Sequence, residues 1–253
     1  MFSLEGKNAL IIGGTSGIGR EIALKYAEAG ARIFPVSRNK EKVKKVVDEI
    51  NLLTNKDLTV GFTLDARNIK DLRDLVKNII DKYKKIDILV NSQGTTLIKP
   101  AEDFNEEDFG LIIETNLKSV YFSCLEVGRH MIENGRGTII NIASMAAYRG
   151  WRHSSIYAIS KAGVVSLTKT LGAEWAPKGV RVNGIAPGQF MTELNINKMD
   201  PSRKNSVLQR TPIGRFGELK ELTGAALLLA SDSSSFIVGE TIVIDGGFLA
   251  TGL

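Results

Sequence analysis

The sequence predicts a doubly wound α/β fold of Rossmann type, a seven-stranded parallel sheet with helices on both faces. Two observations carry that prediction. Seven apolar, β-branched runs recur along the 253 residues, and stretches with a 3.6-residue apolar period separate them. The runs are nearly continuous rather than alternating, as strands buried on both faces of a parallel sheet require. Regular alternation of strand and helix then implies right-handed crossovers.

In chain order the strands are NALIIG (8–13), ARIFPV (31–36), LTVGFTL (58–64), IDILVN (86–91), GTIINIA (137–143), VRVNGIA (180–186) and ETIVIDG (240–246). Helical periods fill 18–30 and 68–83, and longer helices are expected around 105–133 and 154–174. Pro35 resists the pattern, because its missing N–H would cost a ladder bond in a central strand. It marks either the last residue of that strand or a small bulge. No linker, repeat or low-complexity tract divides the chain, so one domain over residues 1–253 is expected.

Composition narrows the function classes. The excess of five positive charges (33 basic, 28 acidic) is dispersed, and no basic block interleaved with aromatics suggests nucleic acid. Cys124 is the lone cysteine, within the apolar stretch SVYFSCLEVG, and is expected to be a buried, inert thiol. His130 and His153 have no ligands at metal-binding spacing. Apolar runs such as GAALLLA (224–230) fall short of the ~20 residues a membrane span needs. A cytoplasmic, reducing location is expected, because MFSLEGK leads straight into a strand.

The chemistry begins with LIIGGTSGIGREIA (10–23), where a buried strand, a glycine cluster and a helix follow one another. Glycine lets backbone approach a ligand, and a helix N-terminus offers free N–H groups to a pyrophosphate. The spacing of Gly13, Gly17 and Gly19 is G-x3-G-x-G rather than G-x-G-x-x-G, so the cluster by itself is weak. At the end of the second strand VSRNK stands where enzymes selecting NAD place a carboxylate. Ser37 and Arg38 suit a 2′-phosphate instead, although Arg38 can equally be a solvated loop residue. Further on, SSIYAISKAG (154–163) sets Tyr157 and Lys161 four apart, on one helix face. Ordinary surfaces carry such pairs too.

Taken together and in order, these motifs resemble the short-chain dehydrogenase/reductase family in its compact form, along nearly the whole chain. The resemblance runs through the glycine turn, LD (64–65), NSQG (91–94), TNLKSV (115–120), NIAS (141–144), YAISK (157–161) and RVNGIAPGQFMT (181–192). It implies Tyr157 as the proton-exchanging acid or base and Lys161 as the residue that holds the nicotinamide ribose and favours the phenolate. Ser144 would bind the substrate oxygen, and Asn116 would position a water. The cofactor, expected to be NADP(H), would be held by Gly13, Thr15, Ser16, Gly17, Ile18, Gly19, Ser37, Arg38, Asp65, Ala66, Asn91, Gly94, Pro187, Gly188, Phe190 and Thr192, with Tyr157 and Lys161. Bringing a phenol from ~10 to ~7 needs about 4 kcal/mol of differential stabilisation, and a neighbouring ammonium, joined by the positive charge of an oxidised nicotinamide, acts in that direction.

Two departures stand out. Ile12 replaces the family's usual threonine, and Asn91-Ser92-Gln93-Gly94 replaces Asn-Asn-Ala-Gly. Gln93 either faces the substrate or braces the sheet. The segments 174–195 and 210–240 look most like the branch acting on sugar acids, such as gluconate 5-dehydrogenases. Arg149 and Arg152, between Ser144 and Tyr157, are candidate carboxylate ligands, with Gln93 a candidate for hydroxyls. Both arginines can also be solvated or serve subunit contacts. A 3-oxoacyl thioester on carrier protein is the alternative substrate, and a non-catalytic nucleotide sensor the alternative class. The last strand and the two long helices resemble the contacts that build a homotetramer in that family.

Overall fold

The computed structural model describes residues 2–191 and 201–251. In chain order it contains β1 (Asn8–Ile12), α1 (Gly17–Glu28), β2 (Arg32–Ser37), α2 (Lys40–Thr54), β3 (Phe62–Thr63), α3 (Ile69–Tyr83) and β4 (Ile88–Asn91). Then follow α4 (Glu106–Ile113), a π-helical turn (Glu114–Lys118), α5 (Ser119–Glu133), β5 (Gly137–Ile142), α6 (Ser155–Trp175), β6 (Val180–Pro187), α7 (Pro201–Arg210), α8 (Thr223–Ala230) and β7 (Thr241–Ile244). The sheet has seven parallel strands in the order β3-β2-β1-β4-β5-β6-β7.

Each strand feeds two cores because successive side chains point to opposite faces. Leu10 and Ile12 of β1 pack with Leu72, Val76, Val127 and Val164 from α3, α5 and α6. Ala9 and Ile11 pack on the other face with Ile22, Tyr26, Val46 and Leu229 from α1, α2 and α8. Each fully buried aliphatic side chain contributes ~1.5–3 kcal/mol, which makes the sheet the rigid part of the molecule. Ile12, where the family's threonine would stand, is one of these core residues.

Two strand details and one helix differ from expectation. The third strand shrinks from seven residues to two, since it lies at the sheet edge and pairs only as Val36↔Phe62 and Ser37↔Thr63. Pro35 neither ends β2 nor bulges it: Ile11↔Pro35 and Ile12↔Val36 continue the register. The carbonyls of Ile33 and Ser37 point toward the β3 side, accepting from Val60 N and Leu64 N. Pro35 shares that side by the period-2 rule, so its missing donor falls at the sparsely bonded edge. The long helix expected over 105–133 is interrupted by the π turn, which carries Asn116.

Candidate active site

The strand order reverses between β1 and β4, and the carboxyl ends of strands flanking such a point form a crevice. The two chain exits touch there. A Cβ on Gly13, which has φ +79°, would lie 2.8 Å from Gln93 N, and one on Gly19 would strike the carbonyl of Gly13. Gly17, at φ +50°, faces open space instead. Asparagine side chains cap α2, α3 and α4, but Ser16 makes no side-chain cap bond at α1. The N–H groups of α1 therefore keep their positive end for a ligand, and the bare glycine backbone leaves room for a pyrophosphate. Thr15 is buried beside Gly14, while Ser16 is exposed.

At the end of β2, Arg38 is 66% exposed and its guanidinium stands 4.0 Å from Asp65. The Ser37 hydroxyl accepts from Asn39 N at 3.1 Å. Arg67, which sequence reasoning missed, grips Asp65 at 2.7 Å through Nη2 and 3.1 Å through Nε. These bonds hold the Asp65 carboxyl below its ordinary range. A D-x-R spacing in the loop was the only available signal. Ala66, between them, packs against the core.

Asn91 does not turn its side chain toward the crevice. Its amide donates to Asn141 Oδ1 at 2.9 Å and accepts from Ser123 Oγ at 2.6 Å, so only its backbone is available to a ligand. Cys124 lies in the same buried network, and burial pushes its thiol up to about 12. Gln93 braces this region rather than facing substrate. Its Nε2 donates to Ser119 Oγ at 3.1 Å, and its Oε1 is buried without a protein partner among the described residues. The reason is general: a side-chain amide this close to the sheet must find donors and acceptors inside.

Ser144, Tyr157, Lys161 and Asn116 converge beyond β4 and β5. Lys161 is 4% exposed, and its Nζ donates at 2.8 Å to the carbonyl of Ile142, the last residue of β5. Burial draws its ammonium down to about 8. Nζ lies 5.9 Å from the centroid of the Tyr157 ring. Burial raises the Tyr157 phenol above its ordinary value, and a hydrogen bond with Ser144 draws it partly back. Among the protein's own groups, desolvation thus outweighs the Ser144 bond at this tyrosine. Ser144 Oγ also accepts from Ala146 N at 3.1 Å, which fixes its rotamer.

Asn116 is fully buried and clamps Thr95, accepting from its N at 2.7 Å and donating to its O at 2.9 Å. It also donates to Ser160 Oγ at 3.1 Å, and Ser160 in turn donates to Tyr157 O. Ser160, inside YAISK, was missed for want of any distinguishing spacing. A Cβ on Gly94 would lie 3.6 Å from both Asn116 Oδ1 and Lys161 Nζ, which measures how closely the three meet.

The remaining candidates are spread out. Pro187 pairs with Ile244, and Gly188 packs against Asp245 so tightly that a Cβ would sit 2.6 Å from its Cα. Phe190 is buried against Gly217. Thr192 lies outside the described residues. Arg149 and Arg152 are exposed; Arg149 stacks 5.7 Å from the Phe248 ring centroid rather than on the Ser144–Tyr157 pair. Among the described residues no set of three His, Cys, Asp or Glu side chains could hold a metal, and no helix is long and apolar enough to cross a membrane.

A family model described as enoyl-(acyl carrier protein) reductase matches residues 13–249. The chain belongs to the short-chain dehydrogenase/reductase family. Relatives span almost its full length. D-threitol dehydrogenase from Mycolicibacterium smegmatis is 38% identical, over 98% of this chain and 94% of its own. 2-Dehydro-3-deoxy-D-gluconate 5-dehydrogenase from Bacillus subtilis is 37% identical, over 98% and 97%. The gluconate 5-dehydrogenase of Burkholderia cenocepacia, solved in complex with NADP and tartrate, superposes with a TM-score of 0.94 at 36% identity, covering 99% of this chain and 98% of that one. This short-chain dehydrogenase/reductase is an oxidoreductase of alcohol and carbonyl groups, a family whose members use nicotinamide cofactors.

Proposed function

We propose that the protein interconverts a secondary alcohol and a ketone with NADP(H), on a sugar acid, in one nucleotide-binding and catalytic domain spanning residues 1–253. The observation that carries the reading is the convergence of Ser144, Tyr157, Lys161 and Asn116 beside the open glycine turn. A bound nicotinamide supplies or accepts the hydride. In reduction, the Tyr157 hydroxyl gives its proton to the substrate oxygen, which Ser144 holds by a hydrogen bond as charge develops on it. Lys161 holds the ribose of the cofactor and, with the cofactor's oxidised positive charge, favours the phenolate left behind. Asn116 positions the route by which that proton is replaced. A phenol kept above its ordinary value is protonated at neutral pH, which suits the reducing direction.

NADP(H) is supported by Ser37 and by Arg38, an exposed guanidinium at the β2 end, where enzymes selecting NAD place a carboxylate. Arg38→Ala is expected to raise the apparent constant for NADPH tenfold to a hundredfold, since a charge-assisted bond to phosphate is worth ~1.5–3 kcal/mol. The constant for NADH should barely move. Equal use of NADH and NADPH by the wild-type enzyme would contradict the assignment.

The sugar-acid reading is supported by the relatives and neighbour that act on, or are named for, gluconate derivatives. It also rests on Arg152 and Arg149, accessible in the loop between Ser144 and Tyr157. Gln93, tied to Ser119, is no longer part of it. A carrier-protein thioester is the second reading, favoured by the description of the matching family model. Specificity constants for 5-ketogluconate and acetoacetyl thioester decide between them, and a clear preference for the thioester refutes the sugar acid.

The assembly we propose is a cytoplasmic homotetramer. Phe109, Tyr121 and Ile159 are exposed apolar side chains on α4, α5 and α6, with Ile159 at 57%. β7 is an edge strand of four residues with an open ladder side. Light scattering should return about four chains per particle; a monomer at micromolar concentration rules this out.

A further inference from the structure

We infer that Gln93 is a positioning residue for the reaction, acting through Ser119 to fix the π turn that carries Asn116. The inference rests on the proposed role of Asn116 and extends it to a residue where this chain departs from the family's alanine.

The stretch Gln93-Gly94-Thr95 is tied to the π turn at both ends. On one side Gln93 Nε2 donates to Ser119 Oγ at 3.1 Å, and Ser119 Oγ donates to Thr115 O at 2.7 Å, inside the turn. On the other, Asn116 closes two bonds on the backbone of Thr95, at 2.7 and 2.9 Å. Gly94 sits between the two ties, with its Cβ position 3.6 Å from Asn116 Oδ1 and Lys161 Nζ. The spacing of Asn116 and Lys161 about Gly94 is therefore set by a two-point clamp, to which the β4 exit contributes the Gln93 side chain.

A second observation argues against a role in stability alone. Two of the three buried side-chain polar atoms without a protein partner among the described residues are Gln93 Oε1 and Thr115 Oγ1, both in this clamp. Buried polar atoms left without partners are costly, so a device serving only the fold would do better with an apolar residue here. π turns inside α-helices concentrate at functional sites. Ser119 is completely buried, and Gln93 reaches it from the strand end at 3.1 Å.

The test compares Gln93→Ala, Gln93→Glu and Asn116→Ala with wild type, using NADPH and whichever of 5-ketogluconate and acetoacetyl thioester is turned over. Gln93→Ala is expected to lower kcat about three- to tenfold, the size of a lost neutral hydrogen bond, with KM for NADPH and the melting temperature nearly unchanged. Gln93→Glu keeps the shape but has no donor while ionised. Its rate relative to wild type should be low at pH 8.5 and recover toward pH 6, where a buried carboxyl takes a proton and can donate to Ser119 again. A residue that merely fills space would show no such pH dependence. Wild-type kcat at every pH in both Gln93 variants, alongside a slow Asn116→Ala, overturns the positioning role and leaves the proposed role of Asn116 intact. An Asn116→Ala enzyme that folds, binds NADPH and turns over at the wild-type rate overturns both.

Discussion

Tyr157→Phe is expected to leave a folded protein that binds NADPH and loses between a hundredfold and ten-thousandfold of its turnover, the usual range for removing a positioned general acid. Phenylalanine keeps the ring that packs at the start of α6 and takes away only the hydroxyl that meets Ser144. The burial that raises the Tyr157 phenol also fixes the sign of its pH dependence. Reduction needs the protonated phenol, so its rate should hold through neutral pH and fall only as pH rises through the raised titration. Oxidation needs the phenolate and should climb with pH over the same interval. Steady-state rates in both directions from pH 6 to above pH 10 check this, with cofactor fluorescence confirming that the variant still binds. Near-normal turnover in Tyr157→Phe would mean that another group supplies the proton.

The second large effect concerns Lys161→Met. Turnover and NADPH affinity should both fall, because the ammonium proposed to hold the ribose is lost while the apolar stem is kept. Stability should move the other way at neutral pH. In the folded protein Lys161 titrates near about 8, against 10.5 for an ordinary lysine. The unfolded chain therefore binds more protons between those values, and wild-type stability rises as pH climbs from about 8 to 10.5. Below pH 8 the cost of burying the charge is present in full, ~3 kcal/mol by the distance between the two values. The bond from Nζ to Ile142 O offsets part of that, at about 1.5–3 kcal/mol for a charged donor. Lys161→Met should thus be at least as stable as wild type at pH 7, and its advantage should shrink between pH 8 and 10.5. Denaturant titrations at pH 7 and 10 test the sign; a variant destabilised equally at both would show that burial is not what lowers Lys161.

Much of the site was legible before any fold was known, for a physical reason. Tyr157 and Lys161 are one helical turn apart, so their proximity is a local consequence of backbone geometry. The Gly13–Gly19 turn is likewise local, since it needs only a strand, small residues and a helix start. The seven apolar runs announced the sheet because burial on both faces leaves its mark residue by residue. The sequence by itself therefore determined the fold class, the glycine turn and the pairing of Tyr157 with Lys161.

Contacts between distant segments were decided only by the tertiary structure. β3 reads as a seven-residue strand, yet it is an edge and pairs over two residues. Pro35 is harmless in β2 because its imino nitrogen faces that edge, a fact that depends on which strand lies beside it. Gln93 could face substrate or sheet until Ser119, 26 positions away, took its amide. Arg67 matters beside Asp65 only once the loop has turned. The titration of Tyr157 belongs to the same class, because the burial that raises the phenol comes from the assembled core. Local geometry is written in neighbouring residues, whereas desolvation and partner choice are set by segments that meet only after the chain has folded.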